Sequence, residues 1–97
     1  MPEYIMLFQY TLQGVQQIKN APNRIKESKK IFEQNGAKVK AFYAVLGPYD
    51  TVCIAEAPND ETIARISLQI SALGNVKGQT LRAFTEEQTL QLINQIP

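Results

Sequence analysis

The residues with the most chemical potential cluster in one short stretch, Gly47-Pro48-Tyr49-Asp50, with Tyr43 before it and Glu56 after it. Asp50 and Glu56 are carboxylates that could hold or pass a proton, and the two tyrosines bring phenols. Arg82, further along, has the planar fork that suits a ligand carboxylate. Histidine is absent, which removes the commonest general base and metal ligand and the usual Ser-His and Cys-His relays. Cys53 is the sole cysteine, so an internal disulfide is excluded and a Cys/His zinc site has no ligand set. No tight cluster of acids suggests a magnesium site. The residue types therefore point to a binding site without metal or cofactor.

Each candidate also has a purely structural reading. Gly47 and Pro48 suit a turn whatever else they do. Asp50 is a residue type that accepts backbone N–H groups in turns. Tyr49 can pack with its hydroxyl at the edge, and Tyr43 can be an interface or core aromatic. Arg82 can form a surface pair with an acid such as Glu3. Glu56 is the odd acid in an apolar strand. Buried without a partner, it would become a candidate proton carrier.

The flanking sequence says which elements hold these residues. Tyr4 to Thr11, rich in aromatic and β-branched residues, reads as a first strand with apolar residues on both faces. Thr11 caps a short helical turn to about Asn20. A longer helix follows from Pro22 to about Asn35, with a thin inward stripe of Ile25, Ser28, Ile31 and Phe32. Lys38 to Leu46 is a second strand, with Val39, Ala41, Tyr43 and Val45 expected on one face. Gly47 to Asp50 then forms a four-residue turn, and Thr51 to Ala57 is a third strand antiparallel to the second. Asn59 or Asp60 caps a helix whose Ile63, Ile66, Ile70 and Leu73 recur at helical spacing. Val76 to Phe84 is a fourth, outer strand. Thr85 to Gln88 is a capping box opening a last helix to about Ile96.

The order β-α-β-β-α-β is the ferredoxin-like arrangement with an extra C-terminal helix, an α+β fold built on a four-stranded antiparallel sheet. Right-handed crossovers put both central helices on one face of that sheet. The 97 residues make a single domain spanning 1–97. The hairpin turn is expected at the same end of the sheet as the start of the first strand and the end of the fourth. That would gather Gly47, Tyr49 and Asp50 near Arg82, with a bound molecule bridging the gap.

Several blocks stand together in order: the Tyr4–Leu7 strand, Thr11-x-x-Gly14 with Ile18-Lys19, Pro22, and Gly47-x-Tyr49-Asp50. Then come Ala57-Pro58-x-Asp60-Glu61, Gly74-Asn75-Val76 and the run Thr80 to Thr85. Nearly the whole chain thus resembles the GYD domain family. The resemblance implies a place in the dimeric α/β-barrel group, which includes amino-acid-sensing domains and cofactor-free monooxygenases, and it implies little about chemistry.

A sheet covered on one side should alternate apolar and polar residues, yet the first three strands do not. The uncovered face therefore needs a cover. The C-terminal helix is expected to hide part of it and the sheet of a second copy the rest, giving a homodimer or larger even assembly. The net charge of +1, with its basic excess on Lys19, Arg24, Lys26, Lys29 and Lys30, reads as a solvated helix face rather than a nucleic-acid patch. No apolar run suits a membrane span, and a cytoplasmic setting is expected. Three functions fit. The first is a small-molecule-binding or sensing module using Tyr43, Gly47, Tyr49, Asp50, Glu56 and Arg82. The second is a cofactor-independent enzyme of monooxygenase or isomerase type. The third is a structural oligomer.

Overall fold

A computed structural model describes residues 1–97. Strand β1 (Glu3–Tyr10) leads into a one-turn helix α1 (Leu12–Gln16), a 3-10 turn at Ile18–Asn20 and helix α2 (Ala21–Gln34). Strands β2 (Lys38–Ala44) and β3 (Thr51–Glu56) follow, then α3 (Asp60–Ala72), β4 (Val76–Ala83) and α4 (Glu86–Asn94). The sheet is fully antiparallel in the order β2-β3-β1-β4. This is the ferredoxin-like arrangement, with β4 on an edge as its polarity implied.

The core follows from alternation. Tyr4, Met6 and Phe8 of β1 and Thr51, Cys53 and Ala55 of β3 are buried on one face. Phe32 of α2 and Ile63, Ile66 and Ile70 of α3 close over them. Side-chain caps fix where the helices begin. Thr11 accepts the Gly14 N–H, Asn59 accepts the Thr62 N–H at 2.9 Å, and Thr85 and Gln88 form the reciprocal capping box.

The first half of the chain departs from expectation in two places. Strand β2 ends at Ala44, two residues early, so a six-residue link replaces the four-residue turn. The Val45 N–H closes that link by donating to the Asp50 carbonyl at 2.9 Å. A bulge also interrupts β2 between Val39 and Ala41. The extra residue turns Val39 to the helix side, opposite Ala55, while Ala41 and Tyr43 stay on the open side opposite Ile54 and Val52. Val39 therefore does not share a face with Tyr43.

Helix α4 does not cover the open face. Its Leu90 and Ile93 are 55% and 54% exposed, Leu92 is exposed as well, and Ile96, just past its end, is 69% exposed. The far face of the sheet thus stays uncovered along its length within one copy of the chain.

Candidate functional site

The hairpin link sits at the opposite end of the sheet from the place expected. A right-handed β-α-β crossover makes β2 parallel to β1, so β2 must finish beside the end of β1. The register agrees, with Phe8 opposite Thr51 and Tyr10 opposite Val76, while Tyr4 lies opposite Arg82. About six residues, or roughly 20 Å of strand, separate the two ends. One ligand cannot bridge Asp50 and Arg82, and the six candidates divide into three groups.

The first group is the link itself. Gly47 has φ +109°, a region that side chains avoid, so the chain can reverse there. Asp50 ties the loop to β1 twice. Its N–H donates to the Phe8 carbonyl at 2.8 Å, and its Oδ2 accepts the Tyr10 N–H at 2.8 Å. The Tyr49 hydroxyl donates to Gln79 Oε1 at 2.8 Å, and Gln9 Nε2 donates to the Pro48 carbonyl at 2.7 Å. Gln9 and Gln79 both belong to the open side, so the loop is strapped to that end of the open face. These two glutamines carried no signal in the sequence, because only register sets them under the loop.

The second group lies on the open face. Ile5 and Leu7 of β1, Val52 and Ile54 of β3, Tyr43 of β2 and Leu81 of β4 share it. Tyr43 and Leu81 are 57% and 47% exposed. At the end away from the loop, Lys40 Nζ sits 2.9 Å from Glu3 Oε1 and 3.4 Å from Glu56 Oε1. Its hydrogen bond to Glu3, with help from Glu56, pushes the Lys40 ammonium above its ordinary range. Glu56 therefore has a cationic partner, and the unpartnered burial needed for a proton carrier is not met. Glu3 is committed to Lys40 rather than to Arg82.

Arg82 makes the third group, on the helix side. Its Nη1 donates to the Glu3 and Ala83 carbonyls. Its guanidinium lies 4.6 Å from the centre of the Phe84 ring and 5.7 Å from that of Tyr4. The Tyr4 hydroxyl donates to Asp60 Oδ1 at 2.5 Å. Burial, followed by the bond to Asp60, pushes the Tyr4 phenol up to about 12 against a partial opposing pull from Arg82. The cluster ties β1 to the start of α3 and to β4, and it borders an open groove against α3.

A further tie joins α1 to the α3–β4 connection. The Thr11 hydroxyl donates to the Gly74 carbonyl at 2.6 Å, and the Thr11 N–H donates to the Asn75 carbonyl at 3.1 Å. A Cβ on Gly14 would stand 2.1 Å from that same Asn75 oxygen, so only glycine permits the approach. The motif blocks thus meet in space: Thr11 and Gly14 with Gly74 and Asn75, Asp50 with Tyr10, and Tyr4 with Asp60 and Arg82.

Comparison with known proteins agrees with this fold. A protein of Thermus thermophilus named glutamine synthetase and cystathionine beta-lyase binding protein is 43% identical over 85 residues, covering 87% of this chain and 90% of the relative. The crystal structure of TTHA0845, also from Thermus thermophilus, superposes with a TM-score of 0.57 at 24% identity, over 88% of this chain and 95% of that one. The leucine response regulatory protein of Mycobacterium tuberculosis superposes with a TM-score of 0.65 at 15% identity, over 87% of this chain. This chain spans about half of that regulator, 51% of its length, and at such identity the likeness concerns the fold alone. The GYD domain family matches residues 4–93, and the chain belongs to it.

Proposed function

We propose that this chain is a non-catalytic binding module that pairs through its open sheet face and, once paired, holds a partner enzyme. The observation that carries the reading is the open face itself: Ile5, Leu7, Val52, Ile54, Tyr43 and Leu81 form an apolar centre left uncovered by any helix. Burying apolar surface is worth ~25 cal/mol per Å², so covering half a dozen such side chains on each copy favours association by several kcal/mol. The polar ends of the face support a specific register. Gln9, Gln79 and Tyr49 lie at one end, and Glu3, Lys40 and Glu56 at the other. A two-fold axis can set these ends against each other while the aliphatic centres meet.

The partner follows from the Thermus relative, whose name states that it binds glutamine synthetase and cystathionine beta-lyase. At 43% identity, a glutamine synthetase is the first partner to test. The exposed apolar side of α4, which no other element of the chain covers, is the surface proposed for that contact. Under this reading Gly47, Tyr49 and Asp50 shape the edge of the pairing face, and Arg82 holds β1 to β4. A second reading keeps a small ligand between the paired sheets, beside Tyr43 and Glu56. The half-exposed phenol of Tyr43 on the pairing face favours it.

Light scattering coupled to size exclusion tests the pairing, with a dimer or larger even assembly expected at micromolar concentration. Ile54→Lys places a charge in the centre of the face and should give a folded monomer. That monomer should also lose binding to immobilised glutamine synthetase. A wild-type chain that is monomeric at these concentrations overturns the reading.

A further inference from the structure

The helix side of the sheet contains a cavity of about 80 Å³ that plays no part in the pairing described above. It lies under α2 and the C-terminal end of α3, against the buried face of β1, β2 and β3 and the start of β4. Its origin is local. The inward stripe of α2 is thin, and Ser28 stands where a large side chain would fill the space between Ile25 and Phe32. The β2 bulge completes its wall by turning Val39 and then Phe42 to this side. Eleven of its sixteen wall residues are hydrophobic.

The charged members of the wall all have one sign. Arg24 and Lys29 border the cavity, and no Asp or Glu does. Arg24 is anchored through the carbonyls of Gly14 and Gln17. Lys29 forms no salt bridge, and its charge offsets a small part of the upward push of burial on the Cys53 thiol. An apolar hole with unpaired cations at its edge complements a molecule with an alkyl body and one anionic end.

We infer that this cavity is a binding site for a short, unbranched aliphatic monocarboxylate, its chain inserted beneath Ser28 and its carboxylate facing Lys29 and Arg24. Size sets the class. The space is about half of a ~150 Å³ cavity that admits benzene, so it takes a short alkyl chain, and its open side leaves the charged end at the surface. Charge narrows it further. An amine or a zwitterion would bring an ammonium to a wall with no carboxylate to receive it. The site is on the opposite side of the sheet from the pairing face and stands whether or not the chain pairs.

The test uses straight-chain carboxylates from butanoate to octanoate, followed by amide shifts at Ser28 and Cys53. Affinity should rise about fourfold per added methylene and then level off as the chain outgrows the cavity. Hexan-1-ol, hexylamine and benzoate should each bind more weakly than hexanoate. Lys29→Gln should weaken hexanoate by up to about fivefold while leaving hexan-1-ol unchanged. Ser28→Leu, which fills the hole, should abolish binding. If that variant fails to fold, the chain-length series and Lys29→Gln still decide. Shifts absent at every chain length, or an alcohol matching its carboxylate, overturn the inference. So do shifts at Ile5 and Ile54 in place of Ser28.

Discussion

Replacing Asp50 separates a loop-fixing role from a ligand-binding one. Its Oδ2 accepts the Tyr10 N–H at 2.8 Å, and both residues are half-buried. A hydrogen bond to a charged group is worth about 1.5–3 kcal/mol net, and partial exposure places this one near the lower end. Asp50→Ala should therefore cost about 1.5–2 kcal/mol, because it removes the acceptor and leaves the Tyr10 N–H without its partner. Asp50→Asn keeps an acceptor oxygen but loses the charge, and should cost about half as much. For a domain of this size each kcal/mol lowers Tm by about 4–8 °C. The alanine variant should thus melt about 6–16 °C lower and the asparagine variant about 3–8 °C lower. Tyr49→Phe, which deletes only an exposed bond to Gln79, should cost about 0.5 kcal/mol. The proposed pairing would add a concentration dependence to Tm, so the series belongs on the Ile54→Lys background at fixed protein concentration. Urea midpoints with unchanged m-values would confirm that the native fold is compared throughout. The reasoning fails if Asp50→Ala melts with the parent, for the carboxylate would then not be holding the loop.

Gly14→Ala should destabilise by about 1–2 kcal/mol, since a Cβ 2.1 Å from the Asn75 oxygen forces α1 off the α3–β4 connection. Overpacking costs about 1–3 kcal/mol, and the helix gains only about 0.5–1 from alanine. Chemical denaturation gives the total, and faster amide exchange at Thr11 locates the damage. The Tyr4 phenol is held neutral up to about 12, above the usual value of 10.0, so the stability it contributes is complete below pH 10 and is lost as pH rises toward 12. Absorbance titration should show one of the four tyrosines ionising late and together with unfolding. Tyr4→Phe should remove that late step. Cys53, its thiol pushed up to about 11 by burial, should resist alkylation at pH 8 until denaturant is added. Removing residues 86–97 should leave the circular dichroism of the sheet and the dimer intact while weakening glutamine synthetase binding, which a binding titration would record.

Much of the fold was legible because its signals are local. The capping residues Thr11, Asn59 and Thr85 and the isoleucine spacing of α3 mark their elements without reference to anything distant. The bulge was not legible. Nothing in Lys38-Val39-Lys40-Ala41 requires an extra residue, and the shift shows only when β2 is laid against β3. The six-residue link was misjudged because Val45 and Leu46 continue the apolar run of β2, although Leu46 ends fully exposed. Placing the turn beside Arg82 was an error of topology rather than of residue reading, since the crossover rule already fixes which end of the sheet the hairpin occupies. Lys40, Gln9 and Gln79 escaped notice because exposed polar residues in strands take their meaning from register.

The distribution of roles within the chain bears on how such a protein can work. Its most distinctive residues, Thr11, Gly14, Tyr4, Asp50, Asp60 and Arg82, tie neighbouring elements together at the ends of the sheet. Each such tie satisfies polar groups internally, and a side chain so engaged has little left to offer a partner. What remains outward is plain: aliphatic side chains on the open face and along α4. Surfaces of that kind recognise by shape and by excluding water, and they draw on rigid backing rather than on a reactive group. The ties supply that backing. Substitutions at the tied residues should therefore act on stability first and on binding only through it, whereas Ile54→Lys should abolish pairing in a chain that still folds.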